Sequence, residues 1–337
     1  MSNSCVLVAG IDAGNRNLKA VTHNKEVLCP SMVGQGRADL LRMGDRCVDA
    51  ANMVLDYNNA IYFVGELANK ESHDASLALD ETKTEHDHTI VLILAAVLML
   101  APVDARWISV KAVIGMPVSH YRDRDIRQKL VDRLTAKTHE VKSGGHNRYI
   151  QFQEILPFPE GAAELFTILP QHPEYTGADV LVGNVHVGAW RTSYVALEGM
   201  DYRDRLSNTL PLGMHQALQM VHTKRLLHEI EHLAKKDRQI AAELSQARHL
   251  IARQIADNLR AHWTNLEDFE AIYVSGLGAA ILKSYLPQAQ VFPRPYGLAD
   301  RMIVADAPHE QMATARGLYS IGVLKYGLPT DGISSNV

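Results

Sequence analysis

Cys5-Val-Leu-Val-Ala-Gly-Ile-Asp12-Ala-Gly14-Asn15-Arg16-Asn17-Leu-Lys19-Ala-Val-Thr22 is the stretch on which the reading of this chain turns. Cys5 to Ile11 is a short apolar run, it ends in Asp-Ala-Gly, and an alternating pattern resumes at Leu18. Two strand-length runs separated by Gly and Asn predict a β-hairpin rather than a strand-to-helix turn. Such a turn has chemistry to offer. A glycine lets backbone N–H groups approach phosphate oxygens, a lysine adds a point charge, and an aspartate can hold magnesium, usually through water. The competing reading is an ordinary β-turn that uses Asn and Gly for their tolerance of positive φ. Its place on the first strand of a long α/β chain favours the phosphate reading.

Further along, Ile61–Gly65 reads as a strand, Leu79–His88 as a solvated loop, and Thr89–Ala101 as an apolar helix. Trp107–Pro117 is a strand closed by Gly and Pro, followed by a helix over Tyr121–Lys137 with Ile126, Leu130 and Leu134 at helical spacing. Ile150–Leu156 reads as a strand, Pro159-Glu160-Gly161 as a turn, and Ala162–Leu169 as a helix start. Val180–Gly188 and Arg191–Leu197 form a second strand-turn-strand element like the first, which suggests an internal duplication. Leu218–His262, rich in Ala, Leu, Glu, Arg and Lys, reads as two or more helices. Ala271–Leu282 is strand, Gly-rich turn and helix, and Met312–Tyr326 a final helix.

Composition narrows the class. At 337 residues the chain reads as two lobes, and a two-lobed protein offers a cleft. A net charge of -4, from 34 basic and 38 acidic residues, gives no electrostatic signature of direct nucleic-acid binding. Cys5, Cys29 and Cys47 form no short pair, which argues against a disulfide framework and a zinc site and fits a reducing cytoplasm. The longest apolar run, Ile90–Pro102, falls short of the roughly 20 residues of a membrane span. Met1–Ala9 lacks a signal-peptide pattern, so the expectation is a soluble cytoplasmic protein.

Three other segments carry possible chemistry. In Val274-Ser-Gly276-Leu277-Gly278 two glycines let the backbone lie against a ligand at a helix N-terminus, although the dinucleotide fingerprint is incomplete. Glu160 could orient or deprotonate an attacking water, or simply be the acid that helix starts favour. His186-Val-Gly188-Ala-Trp-Arg-Thr192-Ser193 is the counterpart of the first hairpin, and Gly188 and Thr192 could present N–H and hydroxyl donors to phosphate.

Taken together, these segments resemble the actin superfamily, most closely the bacterial ParM-like plasmid-segregation actins, over nearly the full chain. Asp12–Lys19 is similar to that family's first phosphate motif and Val110–Tyr121, with Gly-Met-Pro-Val-Ser, to its first connecting motif. Val274–Leu282 is similar to the adenosine motif and Ala313–Gly322 to the second connecting motif. The resemblance implies an α/β, actin-like (ribonuclease H-like) two-domain fold with an interdomain nucleotide cleft. Domain I would be 1–165 plus 312–330, domain II 166–311, and 328–337 a flexible tail.

It further implies ATP or GTP with Mg2+ as cofactors. Asp12 would position the metal, and Gly14, Asn15, Arg16, Asn17 and Lys19 the phosphates. Glu160 would act on the hydrolytic water, Gly276, Leu277 and Gly278 would meet the adenosine, and Gly213 would begin a nucleotide-facing helix. The implied partners are further copies of the chain in a filament and a DNA-binding adaptor on a plasmid centromere, with neither direct nucleic acid nor membrane. One departure stands out: the family shows Asp-x-Gly and a later Asp in the second phosphate motif, where this chain has His186 and Ser193. Imidazole is a poor partner for water-coordinated magnesium, which points to ATP binding with slowed or altered hydrolysis. A register shift that brings Asn184 into the missing role is one alternative. A non-polymerising nucleotide-binding scaffold and a small-molecule kinase or phosphatase of the same superfamily are the others.

Overall fold

The computed structural model describes residues 4–37, 53–72, 74, 76–77, 86–221, 227–276, 278–279, 302–304 and 307–328. It divides into two compact units, one of Met1–Met116, His120–Thr167 and Met312–Val337, the other of Pro117–Ser119 and Ile168–Gln311. The expected loop over Leu79–His88 lies mostly outside the described residues, as do Cys47, Leu277, the helix beyond Ala279 and all but the first residue of the 328–337 tail.

The first unit opens on β1 (Ser4–Ala13), β2 (Asn17–Thr22), β3 (Lys25–Pro30) and β4 (Met32–Gln35). β5 (Met53–Tyr57), β6 (Ala60–Val64), helix α1 (Glu66–Glu71), β7 (Ser76–Leu77) and helix α2 (Asp87–Leu100) follow. Next come β8 (Trp107–Met116), the short helix α3 (Val118–Arg122), α4 (Arg124–Thr135), β9 (His139–Ser143), β10 (His146–Pro159) and α5 (Glu160–Ile168). The sheet runs β3-β2-β1-β8-β10-β9-β5-β6-β4-β7. Its centre is parallel, with β8 between β1 and β10.

α2 is buried on every face from Thr89 to Leu100, which is why its sequence shows no polar side at all. It lies against β1, β2 and β3. α4 is the opposite case. Asp123 caps its N-terminus by accepting from the Asp125 and Ile126 N–H groups, and only Leu130 and Leu134 are buried, with Ile126 half-buried. The C-terminal helix Ala307–Tyr326 packs backbone to backbone on α5 and β1. A Cβ on Gly317 would sit 1.7 Å from the Ala163 carbonyl oxygen, and one on Gly10 would sit 2.3 Å from that of Ala315. Glycine at these two places is what lets the helix seat there.

The second unit carries β11 (Leu181–Val187), β12 (Thr192–Glu198), β13 (Asp201–Tyr202) and β14 (Asn208–Leu210). Helices α6 (Met214–Gln219), α7 (Leu227–Ala234) and α8 (Arg238–His262) precede β15 (Ala271–Ser275) and β16 (Met302–Val304). The helical region is therefore divided, and it begins at Met214, four residues earlier than its composition suggests. α8 buries Leu244, Ala247, Ile251, Ala252, Ile255, Ala256 and Leu259 on one stripe and is capped by Asp237. The sheet order is β13-β12-β11-β15-β16. This repeats β3-β2-β1-β8-β10 strand for strand: two antiparallel outer strands, then a parallel step from the hairpin's first strand to the next. The duplication read from the two hairpins thus extends to five strands of each sheet.

Candidate functional site

In the first unit the Asp12–Lys19 stretch is the hairpin its pattern predicts, with Asp12 directly opposite Lys19. Asp12 is 2% exposed, and its Oδ2 meets the Lys19 Nζ at 2.6 Å. Burial opposes the Lys19 charge, but Asp12 and the more distant Glu164 and Glu160 outweigh it and leave its pKa raised. The other Asp12 oxygen, Oδ1, and the Asn15 Oδ1 are buried without a hydrogen-bond partner among the described residues. Unsatisfied buried acceptors at a hairpin tip are unusual and call for an occupant that donates or coordinates. The Arg16 side chain is exposed, and its carbonyl accepts from the Ser31 N–H at 2.9 Å. Asn17 closes the hairpin as the first residue of β2, opposite Pro30 of β3.

Glu160 does not sit in a turn. β10 runs to Pro159, α5 begins at Glu160, and the helix replaces the expected Pro-Glu-Gly turn because an acid is at home in a first helical turn. A Cβ on Gly115 would lie 3.2 Å from the Glu160 Cγ and 3.7 Å from the Ile11 carbonyl oxygen. Glu160 therefore stands near the residue preceding Asp12, and the fold gathers Asp12, Lys19 and Glu160 at the hairpin end of β1. Glu164, which the sequence reading passed over, belongs to the same end. It is fully buried one helical turn after Glu160 and accepts from the Thr314 hydroxyl at 2.7 Å. The i, i+4 spacing of two glutamates at a helix start was the available signal.

In the second unit His186 lies opposite Ser193, the same register as Asp12 and Lys19. The turns match as well. A Cβ on Gly14 would meet the Asn17 carbonyl oxygen at 2.9 Å, and one on Gly188 would meet that of Arg191 at 2.9 Å. This register removes the Asn184 alternative: Asn184 is fully buried and its Oδ1 accepts from the Ser275 hydroxyl at 2.8 Å.

One donor expectation changes here. Thr192 is fully buried and its hydroxyl donates to the Leu212 carbonyl at 2.7 Å, so it ties the loop before α6 to the hairpin instead of offering a donor to phosphate. Gly213 does begin a helix, but the next two N–H groups, of Met214 and His215, donate to the Gly188 and Ala189 carbonyls at 3.2 and 2.7 Å. A Cβ on Gly213 would fall 2.7 Å from the Ala189 oxygen, so only glycine permits this contact. The sequence reading also missed that Trp190 at the hairpin tip packs in a tilted pair against His215, ring centroids 3.6 Å apart. Burial lowers the His215 pKa and favours the neutral ring.

The glycine-rich turn joins the same group. Gly276 has φ +83°, and a Cβ there would meet the His186 ring at 2.8 Å. One on Gly278 would meet the Val187 Cγ1 at 2.4 Å and the Met214 Cγ at 2.8 Å. His186, Gly188, Gly213, Gly276 and Gly278 are thus one packed cluster.

Two repeated sheets, each opening on a hairpin with a glycine turn, are the architecture of the actin-like proteins, and the chain has that fold. Residues 10–162 match the family described as Actin like proteins N terminal domain. Among solved structures, the chain is similar to a 15-stranded ParM filament from Clostridium botulinum (TM-score 0.70, 22% identity, 94% of this chain and 99% of that one). It is also similar to Alp7A, an actin-like protein (TM-score 0.74, 12% identity, 95% and 97%). The ADP complex of Ta0583, an archaeal actin homologue, matches with TM-score 0.70 and 14% identity over 95% and 99% of the two chains. No curated protein sequence matches the chain. Among the described residues no helix is long and apolar enough to cross a membrane.

Proposed function

We propose that the chain is a nucleotide-dependent, filament-forming actin-like protein whose hydrolysis step is slow. The observation that carries this reading is the shared register of the two hairpins, Asp12 opposite Lys19 and His186 opposite Ser193. The first hairpin keeps an acid and a lysine for a metal nucleotide, and the second keeps the backbone turn without an acid. The two units correspond in this reading to the domains expected at 1–165 plus 312–330 and 166–311.

The buried, unpartnered Oδ1 of Asp12 suits a magnesium ion held directly or through water. Magnesium, when bound, supplies charge neutralisation between phosphate oxygens. Lys19 would give its charge to phosphate oxygens, with the N–H groups of Gly14 to Asn17 around them, and Glu160 would orient the attacking water. Gly276, Leu277 and Gly278 would receive the nucleoside. His186 and Ser193 bring no second carboxylate, so water and metal are held less firmly and turnover falls.

The ParM and Alp12 filament structures among its structural relatives support self-association as the output. In the proposed role the filament moves plasmid DNA through a DNA-binding adaptor in the cytoplasm. Sedimentation and electron microscopy with ATP, GTP and no nucleotide test it, together with phosphate release by wild type and His186→Asp. Filaments with nucleotide and faster release by the variant are expected. Absence of both filaments and nucleotide binding would overturn the reading. Thermal stabilisation by ATP without filaments or release would instead favour the non-polymerising scaffold, which the second hairpin's missing carboxylates also suit.

A further inference from the structure

At the far end of β8 from the hairpin, a cavity of about 410 Å³ opens where the loop after α2 meets the start of β10. Val103, Asp104, Ala105, Arg106, His146 and Arg148 line it. β8 is ten residues long, so this cavity lies roughly 30 Å from Asp12 along the strand. Arg148 is the decisive residue. It is 1% exposed, and one guanidinium nitrogen donates to the Val103 carbonyl. Its Nε and Nη1 are buried without an acceptor among the described residues.

A buried guanidinium two of whose nitrogens have no acceptor among the described residues is costly to hold. Burial lowers the Arg148 pKa, against weaker support from Cys5 and Asp104. Arg106 adds a second guanidinium to the lining, and the Tyr149 N–H donates to the Arg106 carbonyl at 2.8 Å and fixes that backbone next to Arg148. Asp104 is the one carboxylate of the lining, against two arginines. The stacked pair Trp107 and Tyr149, ring centroids 4.4 Å apart, stiffens the strand ends on which both arginines stand.

We propose that this cavity is an oxyanion site, in which a phosphate or carboxylate group is held by Arg148 and Arg106, separate from the nucleotide hairpins. An oxyanion supplies the acceptors that the Arg148 nitrogens lack, and arginine is the side chain suited to planar or tetrahedral oxygens.

The test is calorimetric titration of inorganic phosphate and, separately, acetate into the full chain, with sodium chloride at equal ionic strength as control. The wild type and Lys19→Ala should both bind. Arg106→Gln, an exposed position where the fold is safe, and Arg148→Met should each lose roughly tenfold in affinity, the worth of one charge-assisted hydrogen bond. Phosphate binding with acetate silent assigns a phosphate ligand, and equal binding assigns a carboxylate, either of which supports an oxyanion site. The proposal is overturned if neither anion binds above the chloride control. It is equally overturned if both arginine variants bind as the wild type does, or if Lys19→Ala alone abolishes binding, which would hand the anion to the hairpin.

Discussion

The Asp12 carboxylate meets the Lys19 ammonium at 2.6 Å straight across the first hairpin, and the equivalent pair across the second is His186 and Ser193. The first pair is charged and nearly buried. The second contains no carboxylate.

Removing Lys19 leaves a buried carboxylate without its cation. Lys19→Met should cost about 3 kcal/mol in urea unfolding, and much of it should return in Asp12→Asn/Lys19→Met. The pH sign follows from the raised Lys19 pKa. Its contribution is complete below the ordinary value of 10.5 and is lost as pH rises through the higher folded value. An unfolding free energy for Lys19→Met equal to the wild type at pH 8 would contradict the buried pair.

His139 sets an acid limit. It is fully buried, its Nε2–H donates to the Leu134 carbonyl at 2.9 Å, and its Nδ1 accepts from the Tyr57 hydroxyl at 2.9 Å. Burial lowers its pKa from 6.5, with Lys137 adding to the effect against the Leu134 bond. The unfolded chain therefore takes the proton first, and stability present above pH 6.5 is lost as pH falls. His139→Gln should flatten the loss of stability below that pH, measured by denaturation at several pH values.

Gly317 tolerates no side chain. Gly317→Ala forces the C-terminal helix away from Ala163 and should cost about 3 kcal/mol, near the upper end for overpacking. A urea midpoint within error of the wild type would mean that the helix does not seat as described.

Cys29 should be chemically silent while the chain is folded. It is 3% exposed, and burial raises its thiol pKa to about 12. At pH 8 the thiolate is then about one part in ten thousand. Peptide mass spectrometry after iodoacetamide treatment should find Cys29 unmodified in native protein and alkylated in urea.

Gly276→Ala should weaken nucleotide affinity while the protein stays folded. Positive φ costs a Cβ-bearing residue roughly 1–2 kcal/mol, and the new methyl would press on the His186 ring. Nucleotide titration and thermal melting read the two effects separately.

Much of the fold was legible because its signals are local. The first hairpin follows from strand-length apolar runs around Gly14, and α2 from an unbroken apolar run that only full burial explains. The boundary at Glu160 was misread as a turn because Pro and Gly flank it, although an acid at a helix start fits equally well. Glu164 escaped notice because its meaning lies in Thr314, 150 residues away. The Thr192 hydroxyl looked available, and the loop packing consumes it.

Sequence alone determined that each stretch folds back as a hairpin around a glycine turn, since the apolar runs and the turn residues are local signals, while the pairing across each hairpin came from the structure. It also exposed the absence of an acid at position 186. Only the tertiary structure decided which polar groups remain unspent. Among the described residues the Asp12 Oδ1 and the Arg148 Nε and Nη1 are left over because their neighbours come from distant strands and loops, whose arrangement no local pattern encodes.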